Sequence, residues 1–373
     1  MTWTADNGRL NRMIREAEEL RTVLHRCPET SGHETQTKRI LMDYLRPEDP
    51  DGDSRLVDMG RWFYLVRREA EAEETIAFRA DMDAVTGPDG VPFHGCGHDG
   101  HSAVMAALAK GLEKEKTGQN LVFLFQHAEE TGEGAAECLA LFKRETVGRM
   151  YAFHNIPGYP AGCVMLKEGT FACASRGLVI RFSGRQSHAA YPELGNNPVY
   201  PMGRLIARLG EMTVPAAFKG MTLLTPVFMQ AGTESYGVSA GDGKLCFTLR
   251  AWFDGDLEDL ERRVIRTAEE LAAAEGVTVS TENRDVFPAS RNDAGALCLL
   301  RKAVEDADLV SYELKEPMRW SEDFGRFGAG TKTCMAGIGG GETAAGLHTP
   351  DYRWNEAVTE AAIRLFGHLI AGS

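Results

Sequence analysis

Hydrophobic positions in the first part of the chain follow two different periods. Apolar residues recur every three or four positions from Leu10 to Leu24 and again around Leu41, which predicts two helices. A third helix, rich in alanine, leucine and methionine, is predicted over residues 102–114. Strands are predicted over residues 61–68, 75–80 and 121–126, with a further strand ending near His154. This alternation predicts an α/β fold with a mostly parallel sheet sandwiched by helices.

The order of elements changes from about residue 175. Strands are predicted over residues 176–183, 221–229, 244–252 and 277–282. One helix opens at Asn197-Pro198, with Asn as the N-cap, and a second covers residues 257–274. The resulting β-α-β-β-α-β order is that of a ferredoxin-like α+β domain. We therefore predict a main domain of residues 1–174 and 287–373, interrupted by a satellite domain at residues 175–286.

Composition narrows the classes of function. A chain of 373 residues is long enough for about two domains, and its net charge of −13 argues against nucleic acid or an anionic membrane as a partner. No apolar run approaches the ~18 residues that span a bilayer, and MTWTADNGRL has no signal-peptide pattern. The eight cysteines have no framework spacing, which indicates reduced thiols and predicts a cytoplasmic protein.

The densest group of chemically useful residues is HGCGHDGH, residues 94–101, which holds three of the ten histidines. In an extended segment, Cys96 and His98 would project to the same face and could hold one metal centre. A thiolate with an imidazole suits zinc, nickel, cobalt or manganese better than magnesium or calcium. The alternative interpretation is a loop with incidental histidines.

Two pairs of carboxylates follow predicted strands. Asp81 and Asp83 could orient imidazole ligands, or one could bind metal, or both could be solvated acids at a strand end. Glu129 and Glu130 come directly after the strand 121–126. One could bind an ion while the other removes a proton from water, although acids are also common at helix N-termini.

Two isolated histidines, His154 and His348, gain meaning only in combination with the other motifs. His154 ends a strand and His348 follows a glycine-rich segment, and a lone histidine in such a place is more often structural than a ligand. His188 lies in the inserted domain, which makes it a poor candidate for a ligand on sequence position alone.

Together these segments resemble the aminoacylase-like amidohydrolases, in the branch of hippurate hydrolase and the plant indole-acetyl-amino-acid hydrolases. The matching blocks, in the order of that family, are RADMDA (79–84), HGCGHDGH (94–101), QHAEETGEGA (126–135), AFHNIP (152–157), GRQSHAAYP (184–192), WSEDFG (320–325) and GLHTP (346–350). The resemblance covers nearly the whole chain and implies an α/β catalytic domain interrupted by a satellite domain that closes over the site or forms dimers.

The resemblance also implies roles. The positions of the ligands to two divalent transition-metal ions (Zn, Mn, Ni or Co) are occupied by Cys96, His98, Glu130, His154 and His348. Glu129 is similar to the general base. Asp83 is similar to an acid that orients a ligand, and Asp81 stands where sister branches have a histidine ligand. His188 resembles the histidine offered to the tetrahedral oxyanion, in some relatives across a dimer interface.

The chain departs from the family pattern at two places. His127 replaces a usual proline, and Gly237-Val238-Ser239-Ala240 replaces Asn-Val-Ile-Pro, whose asparagine helps bind a substrate carboxylate. Arg250 is retained where the family has an arginine that can pair with that carboxylate, although a structural ion pair explains it equally well.

The expected activity is hydrolysis of a small N-acyl or N-aroyl amino acid by a homodimer. The alternatives are a dipeptidase with the same centre, a non-catalytic metal-binding relative, and a structural or assembly protein.

Overall fold

The computed structural model describes residues 7–49, 52–69 and 71–372. The helices are α1 Asn7–Leu24, α2 Thr35–Tyr44, α3 His98–Gly111, α4 Gly134–Cys138, α5 Val199–Ala207, α6 Leu209–Met212, α7 Asp254–Ala273, α8 Ala294–Asp306 and α9 Glu356–Gly372. The strands up to residue 172 are β1 Ser54–Asp58, β2 Phe63–Arg67, β3 Thr75–Asp81, β4 Val85–Thr86, β5 Pro92–Phe93, β6 Asn120–Gln126, β7 Arg149–Ile156, β8 Val164–Leu166 and β9 Gly169–Ala172. Those that follow are β10 Ala174–Ser183, β11 Thr222–Ala231, β12 Asp242–Ala251, β13 Thr278–Phe287, β14 Ser290–Asn292, β15 Ser311–Glu313 and β16 Lys332–Gly339.

The described chain divides into two compact units. The larger unit contains residues 1–171, 290–317 and 323–373, and the smaller unit contains residues 172–289 and 318–322. The boundaries therefore lie within three residues of the predicted 174/175 and 286/287. The assignment of residues 318–322 to the smaller unit was not predicted, because so short a segment has no periodicity of its own.

The larger unit is built on an eight-stranded sheet in the order β1-β2-β6-β3-β7-β16-β8-β15. Its four central strands, β6, β3, β7 and β16, are parallel, whereas β1 and β2 at one edge are antiparallel. Apolar residues of α1, α3, α8 and α9 share one core with those strands, including the stacked rings of Phe63 and Phe125 at 4.7 Å. The predicted α/β class is confirmed, and parallel strand ends meet at one edge of this sheet.

The smaller unit has the predicted β-α-β-β-α-β order. Its antiparallel sheet runs β11-β12-β10-β13, the strand order of a ferredoxin-like fold. Helices α5 and α7 share one core with this sheet, because both bury their apolar stripes against it. At the start of α5, Pro198 occupies the N-cap position that was predicted for Asn197, one residue later than expected. The Asn197 side chain still accepts a hydrogen bond from the amide of Val199 at 3.0 Å.

Two other sequence-based expectations are tested by the fold. Helix α3 begins at His98, four residues earlier than predicted, because its first turn is polar and still buried. All eight cysteines are free thiols, in agreement with the reduced state that was predicted. Among the described residues, no helix is long and apolar enough to cross a membrane.

Candidate metal centre

The ends of three neighbouring parallel strands supply most of the candidate site. Asp81 is the last residue of β3, and β6 ends at Gln126, three residues before Glu129. His154 lies on β7, the other neighbour of β3. Because these strands run in the same direction and adjoin, their carboxyl ends present these side chains at one edge of the sheet.

A glycine turn brings Cys96 and His98 to this edge. Gly97 has a φ of +91°, and a Cβ at that position would lie 2.6 Å from the Tyr352 hydroxyl and 2.7 Å from Asn155 Oδ1. The chain therefore turns sharply into α3, with His98 as the first helical residue. The two residues do approach each other, but the expectation of an extended segment with both side chains on one face is wrong. A turn at a helix N-terminus places them instead.

The five residues predicted as metal ligands form overlapping groups. Within each group, one ligand atom per residue lies within 4.8 Å of the others, and the groups are Cys96/His98/His154, Cys96/Glu130/His348 and His98/Glu129/Glu130. Cys96 Sγ lies 3.4 Å from His154 Nε2, and Glu130 Oε1 lies 3.4 Å from His348 Nε2. Cys96 and His348, which are more than 250 residues apart in sequence, therefore lie close together in space.

Asp83 holds two of the predicted metal ligands, His98 and Glu130, in position. One of its oxygens lies 3.1 Å from His98 Nδ1, and the other accepts hydrogen bonds from the Glu130 amide at 2.9 Å and the Ser31 hydroxyl at 2.7 Å. His98 Nε2 is thereby directed into the cluster. In the part of the chain described, His98 Nε2 and Glu130 Oε1 are buried without a hydrogen-bond partner, which is the condition expected of atoms that bind a cation.

His101 also belongs to the site, a role that the sequence-based expectations did not include. Its Nδ1 lies 2.7 Å from Asp81 Oδ1 and its Nε2 lies 2.6 Å from Asn155 Oδ1. Asp81, His98 and His101 form a further group of possible ligands. The signal was available, because residues three apart on a helix lie on the same face and His98 begins α3.

A second buried network lies against Asp81. The Arg79 guanidinium donates to Asp81 at 2.6 Å and to Asp323 at 2.8 Å, and each of these three side chains is at most 1% exposed. Asp323 also accepts from the Gln126 amide group, and its own backbone amide lies 3.4 Å from Glu129 Oε1. The block WSEDFG contains Asp323, but its position in sequence gave no reason to connect it with Arg79.

The electrostatics of the centre favour a bound cation. Burial by itself lowers the pKa of His98, but the carboxylates of Asp81 and Asp83 outweigh burial and raise that pKa to about 10. Burial raises the pKa of the Cys96 thiol well above its usual range, and the charges of Glu130 and Glu129 add to the effect. The buried carboxylates therefore outnumber the fixed positive charges near His98, and a thiolate there needs a cation beside it.

The remaining predicted residues, His188 and Arg250, lie in the smaller unit. His188 is exposed, and its Nδ1 accepts a hydrogen bond from the Ala190 amide at 3.0 Å. The segment around Gly237 forms a backbone bridge with the segment around His188. Arg250 Nη1 donates to the Arg319 carbonyl at 3.1 Å and to the Ser321 hydroxyl at 2.9 Å.

His127, which replaces the family's usual proline, is fully buried at the end of β6. Its Nε2 lies 3.3 Å from Glu137 Oε2. Burial lowers the pKa of His127 to about 4, and the nearby Arg61 acts in the same direction. The ring is therefore neutral at ordinary pH and packs like a core residue.

Comparison with known proteins decides the family. The sequence-family model of peptidase family M20/M25/M40 matches residues 77–372 of this chain. The chain belongs to this family. M20/M25/M40 membership confirms the prediction of a metal-dependent amidohydrolase, and the overlapping ligand groups agree with the predicted pair of divalent ions.

Among curated relatives in this family, the N-acetyldiaminopimelate deacetylase of Exiguobacterium sibiricum is 28% identical over 368 residues, covering 94% of this chain and 98% of that protein. The N-acetyldiaminopimelate deacetylase of Lacticaseibacillus paracasei is 26% identical over 371 residues, covering 94% of this chain and 96% of that protein. The crystal structure of the Bacillus subtilis YXEP protein, a dinuclear metal-binding peptidase from the M20 family, has a TM-score of 0.81 at 22% identity and covers 97% of this chain and 98% of its own. That structural similarity shows a shared fold.

Proposed function

We propose that this M20 enzyme hydrolyses the amide bond of a small N-acyl amino acid, with Glu129 as general base beside two divalent metal ions. The observation that carries the proposal is the meeting of Cys96, His98, Glu130, His154 and His348 around one carboxylate, Glu129, that the ligand set does not need. The relatives named as N-acetyldiaminopimelate deacetylases support an N-acyl amino acid as the substrate class.

The donor set fits transition metals. Cys96, His98 and His154 would hold one ion, Glu130 and His348 would hold the second, and Cys96 belongs to both groups. A thiolate and imidazoles select zinc, manganese, nickel or cobalt over magnesium or calcium. When bound, such ions supply Lewis acidity that polarises a carbonyl group and makes water more acidic.

The surroundings of Glu129 support its proposed role in proton transfer. Its Oε2 lies 4.0 Å from His98 Nε2, its side chain is nearly buried, and the backbone amide of Asp323 approaches its Oε1. Glu129 would accept a proton from the attacking water and deliver it to the leaving amine nitrogen, so that the amine departs neutral. Asp83 keeps His98 in the correct orientation throughout.

His188 remains the predicted donor to the oxyanion. Because its Nδ1 accepts from the Ala190 amide, the neutral ring carries its hydrogen on Nε2, as an oxyanion donor requires. The bonds from Arg250 to Arg319 and Ser321 support the structural interpretation of that residue more than a role in substrate binding. A homodimer and a cytoplasmic location stay predictions.

The test is the activity of metal-loaded Glu129→Gln and Glu129→Ala variants on a panel of N-acyl amino acids. We expect kcat to fall by about 10²–10⁴-fold while metal content stays at that of the wild type. Glu133→Ala is the matched control, because Glu133 is an exposed acid in the same turn.

Two results would contradict the proposal. Near-normal kcat in a metal-loaded Glu129→Ala variant would contradict the assignment of Glu129 as the general base. Cleavage of dipeptides in preference to every N-acyl amino acid would favour the dipeptidase alternative, and no cleavage of either by metal-loaded wild type would favour a non-catalytic relative.

A further inference from the structure

The loop between α1 and α2 contains a buried glutamate that the proposed chemistry does not use. Glu34 immediately precedes α2 and is 4% exposed. A glutamate in that position would ordinarily interact with the amides at the start of its own helix. Here those amides are satisfied by Glu29, whose carboxylate accepts from the backbone of Gln36 and Thr37 at 2.8–3.0 Å. The Glu34 side chain makes no cap hydrogen bond to α2.

The Glu34 carboxylate reaches a distant segment instead. Its Oε1 accepts a hydrogen bond from the amide of Ala128 at 2.7 Å, across 94 residues of chain, and another from the amide of Gly32 at 2.9 Å. Burial raises the pKa of Glu34 to about 7, against the effect of the bond from Ala128. Burying an acid in this way is unfavourable. The buried position of the Glu34 carboxyl group therefore indicates that it has a role outside its own helix.

Ala128 has a conformation that alanine rarely adopts. Its φ is +48°, in the left-handed region, and its side chain is 1% exposed. It connects the end of β6 to Glu129 and Glu130, and its carbonyl accepts from the Gly134 amide at 3.0 Å to close the turn that carries both glutamates. A left-handed alanine is strained relative to glycine, so the turn needs a partner that holds it.

A second contact connects the same loop with the candidate metal centre. The Ser31 hydroxyl donates to Asp83 Oδ2, the oxygen that also accepts from the Glu130 amide. Thr30 forms a parallel bridge with Ala84 on the other side of Asp83. Residues 30–34 therefore contact both chain segments that present the carboxylates of the site.

We infer that Glu34 is a positioning residue that holds Ala128 in its left-handed conformation and thereby fixes Glu129 and Glu130 for catalysis. Glu34 acts through the backbone amide of Ala128 and belongs to none of the groups of possible metal ligands found among the described residues. A neutral side chain with an oxygen acceptor of the same length can make the same bond, whereas a shorter side chain cannot reach the Ala128 amide. A glycine at position 128 adopts the turn without side-chain strain and should reduce the need for Glu34.

The experiment compares Glu34→Ala, Glu34→Asp and Glu34→Gln, each with and without Ala128→Gly, as metal-loaded enzymes. We expect kcat to fall by about 10- to 100-fold in Glu34→Ala and Glu34→Asp, with KM changed by no more than about twofold, because the base is misplaced while substrate binding persists. Glu34→Gln should keep most of the activity. Adding Ala128→Gly should recover part of the lost kcat in Glu34→Ala and Glu34→Asp.

Two measurements do not depend on turnover. Competition with a chelator should show weaker metal binding in Glu34→Ala than in the wild type, because Glu130 is on the same turn. Hydrogen exchange should show faster exchange of the Ala128 amide in Glu34→Ala and Glu34→Asp but not in Glu34→Gln. His33→Ala, an exposed neighbour in the same loop, is the control and should match the wild type throughout.

The activity part of this inference rests on the proposed function, and the outcomes separate the two. If the wild type cleaves no amide, the proposed function fails, while metal affinity and amide exchange still test Glu34. Unchanged kcat, metal affinity and Ala128 exchange in Glu34→Asp would overturn the inference. A Glu34→Ala/Ala128→Gly variant that folds but is no better than Glu34→Ala would overturn it as well.

Discussion

Cys96, His98 and His154 are buried polar side chains that depend on one another. His98 is held by Asp83 through one ring nitrogen, and the other nitrogen faces a thiol and a glutamate. In the absence of metal, the surrounding carboxylates keep a proton on His98 by raising its pKa to about 10, and burial keeps a proton on Cys96 by raising its thiol pKa. Metal ligands bind as neutral imidazole and thiolate, so a bound ion has to displace these protons.

This coupling gives a residue-scale prediction for pH dependence. At pH values below the raised pKa of His98, protons compete with metal, so apparent metal affinity should rise as pH increases from about 6.5 to about 8.5. The measurement is competition with a chelator of known pH dependence, together with calorimetry in buffers of different ionisation enthalpy. Binding should release protons to the buffer, and an affinity that is flat across this range would contradict the assignment of Cys96 and His98 as ligands.

At the scale of elements, the junction between β5 and α3 decides whether the site forms. Gly97 combines a left-handed backbone with a close approach to Tyr352 and Asn155. Gly60 has the same φ of +91°, but no heavy atom of the described residues lies within 4 Å of the place where a Cβ would stand. These two glycines therefore separate backbone strain from steric clash.

We predict that Gly97→Ala is more harmful than Gly60→Ala. Both pay the left-handed conformational penalty of about 1 kcal/mol, but only Gly97→Ala also has to displace neighbouring atoms and shift His98. The free energy of unfolding should fall by roughly 1 kcal/mol in Gly60→Ala and by several kcal/mol in Gly97→Ala, with weaker metal binding only in the latter. Equal effects in denaturant titrations and metal competition would show that the close approach at Gly97 has no consequence.

At the scale of the whole molecule, the smaller unit has an exposed sheet edge. Strand β11 is the edge strand next to β12, and its Val227 and Met229 side chains are 60% and 49% exposed. Unpaired edge strands with apolar side chains tend to pair with another chain. We therefore expect the predicted homodimer to pair two copies of β11 side by side.

The corresponding prediction concerns oligomeric state. The wild type should sediment as a dimer at micromolar concentration, and Val227→Glu should shift it towards monomer because a charge would be buried at the shared edge. Val310→Glu is the control, because Val310 is 73% exposed in the larger unit. A monomeric wild type, or equal dissociation in both variants, would contradict pairing through β11.

Local patterns were sufficient for the fold class and the ligand types. The apolar run of β6 and the alternation of elements around residue 175 predicted an α/β unit and a ferredoxin-like unit, because period and order depend on neighbours in sequence. Thiol, imidazole and carboxylate groups likewise indicated a transition-metal site, although each motif by itself had an alternative interpretation. Ordered motifs connected them with an amidohydrolase family, which the M20/M25/M40 match confirms.

Long-range contacts determined which side chains become partners, and no local sequence pattern contains that information. The start of α3 at His98, the place of His101 beside Asp81, the Arg79–Asp323 pair and the bond from Glu34 to Ala128 all join segments distant in sequence. Such partners are selected by burial, since a polar group removed from water takes the nearest complementary group in space. The chain by itself therefore determined which chemical groups are available, and only the tertiary structure decided which atoms they contact.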